Sequence, residues 1–323
     1  MIAMLLGCVV WLGCPSTPQP SGKTTPPTTP SSQRGRIDAE VAVDGVARQF
    51  IIYVPPGYSG QAAVSLVFMF HGTGGDGERF YTISGWKEKA DEETFIAVFP
   101  SARRYCFHDE GRQRRATKWV GEGFLRSACE GQTFNDDVKF VRLMVDYVRQ
   151  RYAVEATQIY ASGFSNGAGF VNTRLALEAT DVFAAVATIG GLFPEPFEVQ
   201  GEIISSYSVT GEWDEGQVEQ NGGQPLPLTE AALEANDFLQ SRMEHMLTTF
   251  QLADAYEARE APRHLTLRFT NSLAGNDNEW RFSIIKGLTH RYPNGRNNPA
   301  GVRIVDQFWP FFETHPKSEA PDG

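Results

Sequence analysis

From residue 41 onward, apolar and polar positions follow one another in a regular succession of runs and periods. Val41-Ala42-Val43 and the apolar-rich segment 48–54 flank Asp44-Gly45, a dipeptide that favours a two-residue hairpin turn, so an opening hairpin is expected. Residues 64–70 form a continuous apolar run, as in a strand buried on both faces. A helical stretch over about 80–94 leads to a second such run at 95–99. Thr133, followed at the third position by Asp136, has the form of a capping box. It should open a long helix with Val138, Val141, Val145, Val148 and Tyr152 on its apolar face. A strand at 158–162 runs into a turn and then a helix over about 166–179. Strands at about 184–189 and 203–209, a helix over 229–252, strands at 265–269 and 280–285, and a closing helix over 302–314 complete the succession. Segments 190–201 and 215–228 are expected to be irregular. A hairpin followed by strands alternating with helices implies an α/β domain, here residues 37–315, with a mostly parallel sheet covered on both faces and a short tail at 316–323. No internal repeat interrupts it.

Composition adds the class of protein. With 323 residues, 41% hydrophobic and 21% charged, the chain has the make-up of an ordinary globular domain. A net charge of −10 argues against nucleic acid as a partner, and against a polyanionic substrate unless positive charge is concentrated locally. One concentration exists, Arg103, Arg104, Arg112, Arg114, Arg115 and Lys118, and it reads as a solvated loop. Residues 2–13 are almost wholly apolar but too short to span a bilayer as a helix. They lead into Leu12-Gly13-Cys14, which resembles a bacterial lipoprotein signal, where the cysteine is acylated and becomes the mature N-terminus. Residues 1–14 are therefore expected to be a signal segment with Cys14 as its lipidation site. Residues 15–36, rich in Pro, Thr and Ser, read as an extended tether. The expectation is an exported protein anchored by lipid at the cell envelope. Setting Cys8 and Cys14 aside leaves Cys106 and Cys129, which in an exported chain should form a disulfide. The six histidines show no metal-ligand spacing.

The densest chemistry lies at Gly163-Phe164-Ser165-Asn166-Gly167, a G-x-S-x-G pattern between a strand and a helix. A turn sharp enough to lift a serine hydroxyl clear of a sheet edge leaves no room for side chains two residues to either side, which is where the glycines stand. The strand at 64–70 ends in His71-Gly72-Thr73-Gly74-Gly75-Asp76-Gly77. Gly72, Gly74 and Gly77 match the dinucleotide fingerprint, but the next strand runs into Phe99-Pro100-Ser101 and lacks the acidic residue that would hold a ribose. The better reading is a loop whose backbone N–H groups, near Gly72 and Thr73, form half of an oxyanion hole, with the N–H of Asn166 as the other half. A serine nucleophile needs a base and an acid. His290 follows the last apolar strand and precedes the final helix, where the base belongs. For the acid, Thr210-Gly211-Glu212-Trp213-Asp214-Glu215 follows the strand at 203–209. Asp214 is preferred there, and Glu212 and Glu215 stay open.

Several pieces in order resemble one family: Tyr53-Val54-Pro55-Pro56-Gly57-Tyr58, His71-Gly72-Thr73-Gly74-Gly75, Asn135-Asp136-Asp137-Val138-x-Phe140, residues 159–169 and Phe183-Ala184-Ala185-Val186-Ala187. From about Arg48 to His315 the chain is similar to the esterases that include feruloyl esterases, acetylxylan esterases and polyhydroxybutyrate depolymerases. The resemblance implies the α/β-hydrolase fold, with Ser165 as nucleophile, Asp214 as acid, His290 as base and no cofactor. It implies an ester substrate: hydroxycinnamoyl or acetyl esters on plant polysaccharide first, aliphatic polyester second. The chain departs from the family at Thr210 and Glu212, where His-Gly-Thr-x-Asp is usual, and at Tyr292, where Trp is common. Trp213 and Tyr292, beside the acid and the base, are candidate substrate contacts. A hydrolase fold without catalysis, serving as a surface binding module, is the competing expectation.

Overall fold

The computed structural model of this chain describes residues 31–318. The expected signal segment with Cys14, and most of the tether, lie outside the described residues.

The strands are β1 (Gly35–Val43), β2 (Val46–Val54), β3 (Val64–Phe70), β4 (Ile96–Pro100), β5 (Arg103–Asp109), β6 (Arg112–Lys118), β7 (Val154–Phe164), β8 (Ala185–Ile189), β9 (Ser205–Trp213), β10 (Glu257–Ala261), β11 (His264–Phe269) and β12 (Trp280–Thr289). Ten of them form one sheet in the order β1-β2-β4-β3-β7-β8-β9-β12-β11-β10. Its centre, β4-β3-β7-β8-β9-β12, is parallel throughout. Antiparallel strands cover both edges. The opening hairpin turns at Asp44 and Gly45, both with positive φ (50° and 77°), as a tight two-residue turn requires. β1 begins at Gly35, so the last two residues assigned to the tether belong to the domain. At the other end, the Lys317 N–H donates to the carbonyl of Thr157, which ties down the start of the expected tail.

Alternation along β3 divides the core. Leu66, Phe68 and Phe70 point to one face of the sheet, and Val67 and Met69 to the other. On the first face Phe140, Val141, Met144 and Val148 of the helix Asp137–Arg149 pack over the sheet. On the second, the helix Val305–Glu313 buries Phe308, Trp309, Phe311 and Phe312. Each such side chain contributes roughly 1.5–3 kcal/mol through burial.

Several expected elements differ in detail. The helix at 80–94 is two, Gly77–Ile83 and Trp86–Glu93, because Gly85 takes a left-handed φ of 81° between them. The helix at 229–252 is also two, since the Asn236 side chain accepts from the Leu239 N–H and starts Asp237–Phe250 afresh. Segment 215–228 is not wholly irregular: Glu215–Gln220 is a helix capped by Asp214. The arginine-rich stretch is not a loop but the hairpin β5–β6, held at one face by Tyr105, Phe107, Val120 and Phe124. Cys106 and Cys129 are joined by a disulfide. Thr133 does not cap the long helix. Asp136 does, accepting from the Lys139 N–H at 3.0 Å.

Asn135 and Asp137 of that same segment engage Arg48 of β2. The buried guanidinium donates to Asn135 Oδ1 at 2.8 Å and Asp137 Oδ1 at 2.7 Å, and lies over the Phe140 ring at 4.1 Å. Asp137 Oδ2 accepts from the Val120 N–H at 2.8 Å. Removing one member of such a pair strands a buried charge. Asp137→Asn is expected to cost about 3–5 kcal/mol of unfolding free energy, read as a lower denaturant midpoint at unchanged slope. A loss below ~1 kcal/mol would show that the pair is dispensable to the fold.

Candidate active site

β7 delivers Ser165 at its C-terminal end, where the chain reverses into the helix that begins at Asn166. Ser165 has φ 54° and ψ −119°, a conformation that costs a non-glycine residue on the order of 1–3 kcal/mol. The neighbouring glycines make the bend feasible. A Cβ on Gly163 would stand 2.5 Å from the Gly167 carbonyl oxygen, and one on Gly167 would stand 2.3 Å from that of Phe70. The Ser165 N–H is used by the Ile189 carbonyl at 2.9 Å. The next amide, that of Asn166, is the first of the helix, among the donors that a helix leaves without an internal partner. The positive end of the helix lies there too.

Three loops converge on this serine. The loop after β3 passes so close that a Cβ on Gly72 would lie 3.1 Å from Ser165 Cβ. Its shape is fixed by buried His71. The ring Nε2 accepts the Ala102 N–H at 3.0 Å, so Nδ1 carries the proton and donates to the Gly72 carbonyl at 2.7 Å. Burial lowers the His71 pKa to about 4, so it stays neutral and pins the loop. The second loop brings His290 from the end of β12: Nε2 lies 2.8 Å from Ser165 Oγ. The third, after β9, supplies Asp214, whose Oδ2 lies 2.7 Å from His290 Nδ1. Asp214 is 3% exposed, and its Oδ1 accepts the Gln217 N–H at 3.3 Å as a helix cap. The three side chains that the sequence singled out thus form one hydrogen-bonded line. Asp214 raises the His290 pKa above 6.5 by its hydrogen bond, burial opposes this, and the charges of Asp214 and Glu215 add to the rise.

The two other carboxylates also meet the histidine loop, through its backbone. Glu212 Oε2 accepts the Gly287 N–H and Glu215 Oε2 accepts the His290 N–H, each at 2.7 Å. Neither reaches the imidazole ring. Sequence reading missed these grips, and it missed the clamp on Asn166. The Asn166 side chain accepts the Trp119 N–H at 2.7 Å and donates to the Trp119 carbonyl at 3.1 Å. The Trp119 indole in turn donates to the His71 carbonyl at 3.0 Å. Gly190 was also missed: at φ 80°, its absent Cβ would fall 2.9 Å from His290 Cε1. None of these has a local sequence signature, because each depends on where another segment passes.

A cavity of about 360 Å³ opens beside the line, with Thr73, Phe80, Phe164, His290 and Tyr292 among its walls. Tyr292 is buried there, edge-on to Phe80 and Phe164. Trp213 is 47% exposed and is not part of that lining.

Residues 48–233, more than half of the chain, match the family described as esterase PHB depolymerase. The chain belongs to this esterase family. The matched stretch contains Ser165 and Asp214, and His290 lies beyond it. "Putative esterase NocK" of Nocardia uniformis subsp. tsuyamanensis is 29% identical over 212 residues, 60% of this chain and 56% of that protein. Feruloyl esterase B of Talaromyces funiculosus is 27% identical over 126 residues, 38% of this chain and 31% of that protein. The chain therefore spans about half or less of the length of these relatives. Among solved structures, the acetyl xylan esterase of Aspergillus awamori superposes with a TM-score of 0.53 at 13% identity, covering 86% of this chain and 99% of its own. The S-formylglutathione hydrolase of Agrobacterium tumefaciens also gives 0.53, at 11% identity, over 87% and 95%. At such identities the likeness is one of fold, and the fold is that of the α/β-hydrolases.

Proposed function

We propose that the chain is an exported serine esterase that cleaves carboxylic esters through an acyl-enzyme. The observation that carries this reading is the line from Asp214 through His290 to Ser165, with contacts of 2.7 and 2.8 Å. Neutral His290 takes the hydroxyl proton as Ser165 Oγ attacks the ester carbonyl. The carbonyl oxygen becomes negative and is held by the Asn166 N–H and by the loop amides at Gly72 and Thr73. The intermediate collapses, the C–O bond breaks, and His290 hands its proton to the departing alcohol. Water then attacks the acyl-enzyme with His290 again as base, releasing the acid and restoring Ser165. Asp214 holds the ring with Nδ1 protonated and stabilises the imidazolium. No cofactor takes part in this scheme.

Hydroxycinnamoyl or acetyl esters on plant polysaccharide are the proposed substrates, supported by the feruloyl esterase relative. Polyhydroxybutyrate is the second reading, favoured by the description of the matched family. Initial rates on methyl ferulate, acetylated xylan, short aryl esters and polyhydroxybutyrate films decide between them. The higher kcat/KM is expected on the first two. Solubilisation of the polyester alone would select the second reading, and no hydrolysis by folded protein would favour a binding module. The Cys106–Cys129 disulfide supports an oxidising compartment, hence export. Among the described residues no helix is long and apolar enough to cross a membrane. Anchoring is assigned to an acyl group on Cys14. Protein recovered without acyl mass on that residue would remove the anchor from the reading.

A further inference from the structure

The cavity beside Ser165 carries a charge pattern that the esterase scheme does not use. Its walls include Phe80, Ile83, Phe164 and Tyr292, which are apolar or aromatic, and two arginines, Arg79 and Arg291. Arg79 stands in the first turn of the helix that leaves the loop after β3, next to Phe80. Arg291 directly follows His290. The two residues therefore come to the cavity on different segments, Arg79 on the helix after the β3 loop and Arg291 on the histidine loop. Both arginines are exposed, and among the described residues no acidic side chain forms an ion pair with either guanidinium. The nearby carboxylates are engaged elsewhere. Asp76 accepts the Arg79 backbone N–H at 2.8 Å, Glu78 pairs with Arg36, and Glu215 holds the His290 N–H.

A second positive feature adjoins the first. The base of the β5–β6 hairpin is bonded to the oxyanion loop: the Gly74 N–H donates to the Thr117 carbonyl at 3.0 Å, and the Thr117 hydroxyl donates to the Gly75 carbonyl at 2.6 Å. That hairpin carries Arg103, Arg104, Arg112, Arg114, Arg115 and Lys118 against Asp109 and Glu110. Among the described residues only Arg114 of these has an acidic partner, Asp109. The chain carries a net charge of −10, so the positive charge of Arg79, Arg291 and the β5–β6 hairpin stands out locally against an acidic whole. Such a field concentrates anions there and repels them elsewhere.

We infer that the substrate is an ester that also carries a carboxylate, which Arg79 and Arg291 bind while the β5–β6 hairpin supplies the attracting field. The inference rests on the esterase reading above and narrows its substrate class. Guanidinium is suited to the task because its planar fork matches a carboxylate with paired hydrogen bonds. The carboxylate can belong to the acyl part, as in a monoester of a dicarboxylic acid, or to the alcohol part, as in an esterified polyuronate.

Two matched substrate pairs test it. 4-Nitrophenyl hemisuccinate against 4-nitrophenyl butyrate places the charge in the acyl part, and acetylated polygalacturonate against acetylated xylan places it in the alcohol part. At low salt, the anionic member of at least one pair should have the higher kcat/KM, by about tenfold or more. Which pair shows it assigns the charge to one part. The ratio should fall at about 0.5 M NaCl, where screening shortens the reach of the field. In Arg79→Gln/Arg291→Gln it should fall towards one, whereas Arg79→Lys/Arg291→Lys should keep part of it. Equal or better use of the neutral member in both pairs overturns the inference. So does an anionic preference that survives the glutamine variant. Hydrolysis of neutral esters without charge preference removes this inference alone. If neither pair is cleaved and fluorophosphonate does not label Ser165, the esterase reading falls and this inference with it.

Discussion

Ser165→Ala is expected to abolish ester hydrolysis, lowering kcat by on the order of 10⁴-fold or more, as in other serine triads. The expected effect is local. The elbow holds the hydroxyl 2.8 Å from His290 Nε2, at the start of a helix and against the loop after β3. Alanine keeps the Cβ and the backbone conformation, so neither the bend nor the cavity should change, and affinity for a substrate analogue should persist. Only the bond-forming atom is lost. Mass spectrometry after fluorophosphonate treatment of the wild type should find a single adduct, on the peptide that contains Ser165. Undiminished turnover by the variant, or an adduct on another serine, would overturn the proposed mechanism.

The parallel core was legible because buried strands read as apolar runs. Val64–Phe70 matches its run to the residue, and β4 and β8 are displaced by about one. What escaped had no apolar period to show. β10 is exposed along nearly its whole length, so nothing distinguishes Glu257–Ala261 from a loop. In β5–β6, only the short run Tyr105-Cys106-Phe107 breaks a polar stretch, and its partners Phe124 and Phe134 lie beyond the hairpin in sequence. The same limit governs the site. The G-x-S-x-G elbow is written locally because steric exclusion acts within five residues. The Asn166 clamp on Trp119 joins positions 47 apart, and the contact of His290 with Ser165 joins positions 125 apart. The carboxylates make the point most sharply. In sequence Asp214 is only preferred over Glu212 and Glu215, and the three separate fully when the histidine loop lies across them. Two then face its amides and one faces its ring.

That division gives the second large effect. Asp214→Asn is expected to leave the fold intact and lower kcat by about 10⁴-fold near neutral pH. An amide can cap the Gln217 N–H as the carboxylate does, but it offers His290 Nδ1 no charge and tolerates the tautomer whose Nε2–H cannot accept the serine proton. Glu215→Gln and Glu212→Gln remove backbone acceptors instead, so their effect should be smaller, through a looser histidine loop. The pH profile separates the roles. Catalysis needs neutral His290, and Asp214 raises its pKa, so the acid limb of kcat/KM should lie above 6.5 in the wild type. In Asp214→Asn the residual activity should show that limb displaced downward. Stability runs the other way. A histidine raised by its partner in the folded state stabilises most below its unfolded value of about 6.5, and that contribution fades as pH climbs through the folded value. The wild type should therefore gain activity over the same interval in which this pair ceases to stabilise it. Near-normal turnover by Asp214→Asn, with loss in Glu212→Gln or Glu215→Gln, would assign the acid to another carboxylate.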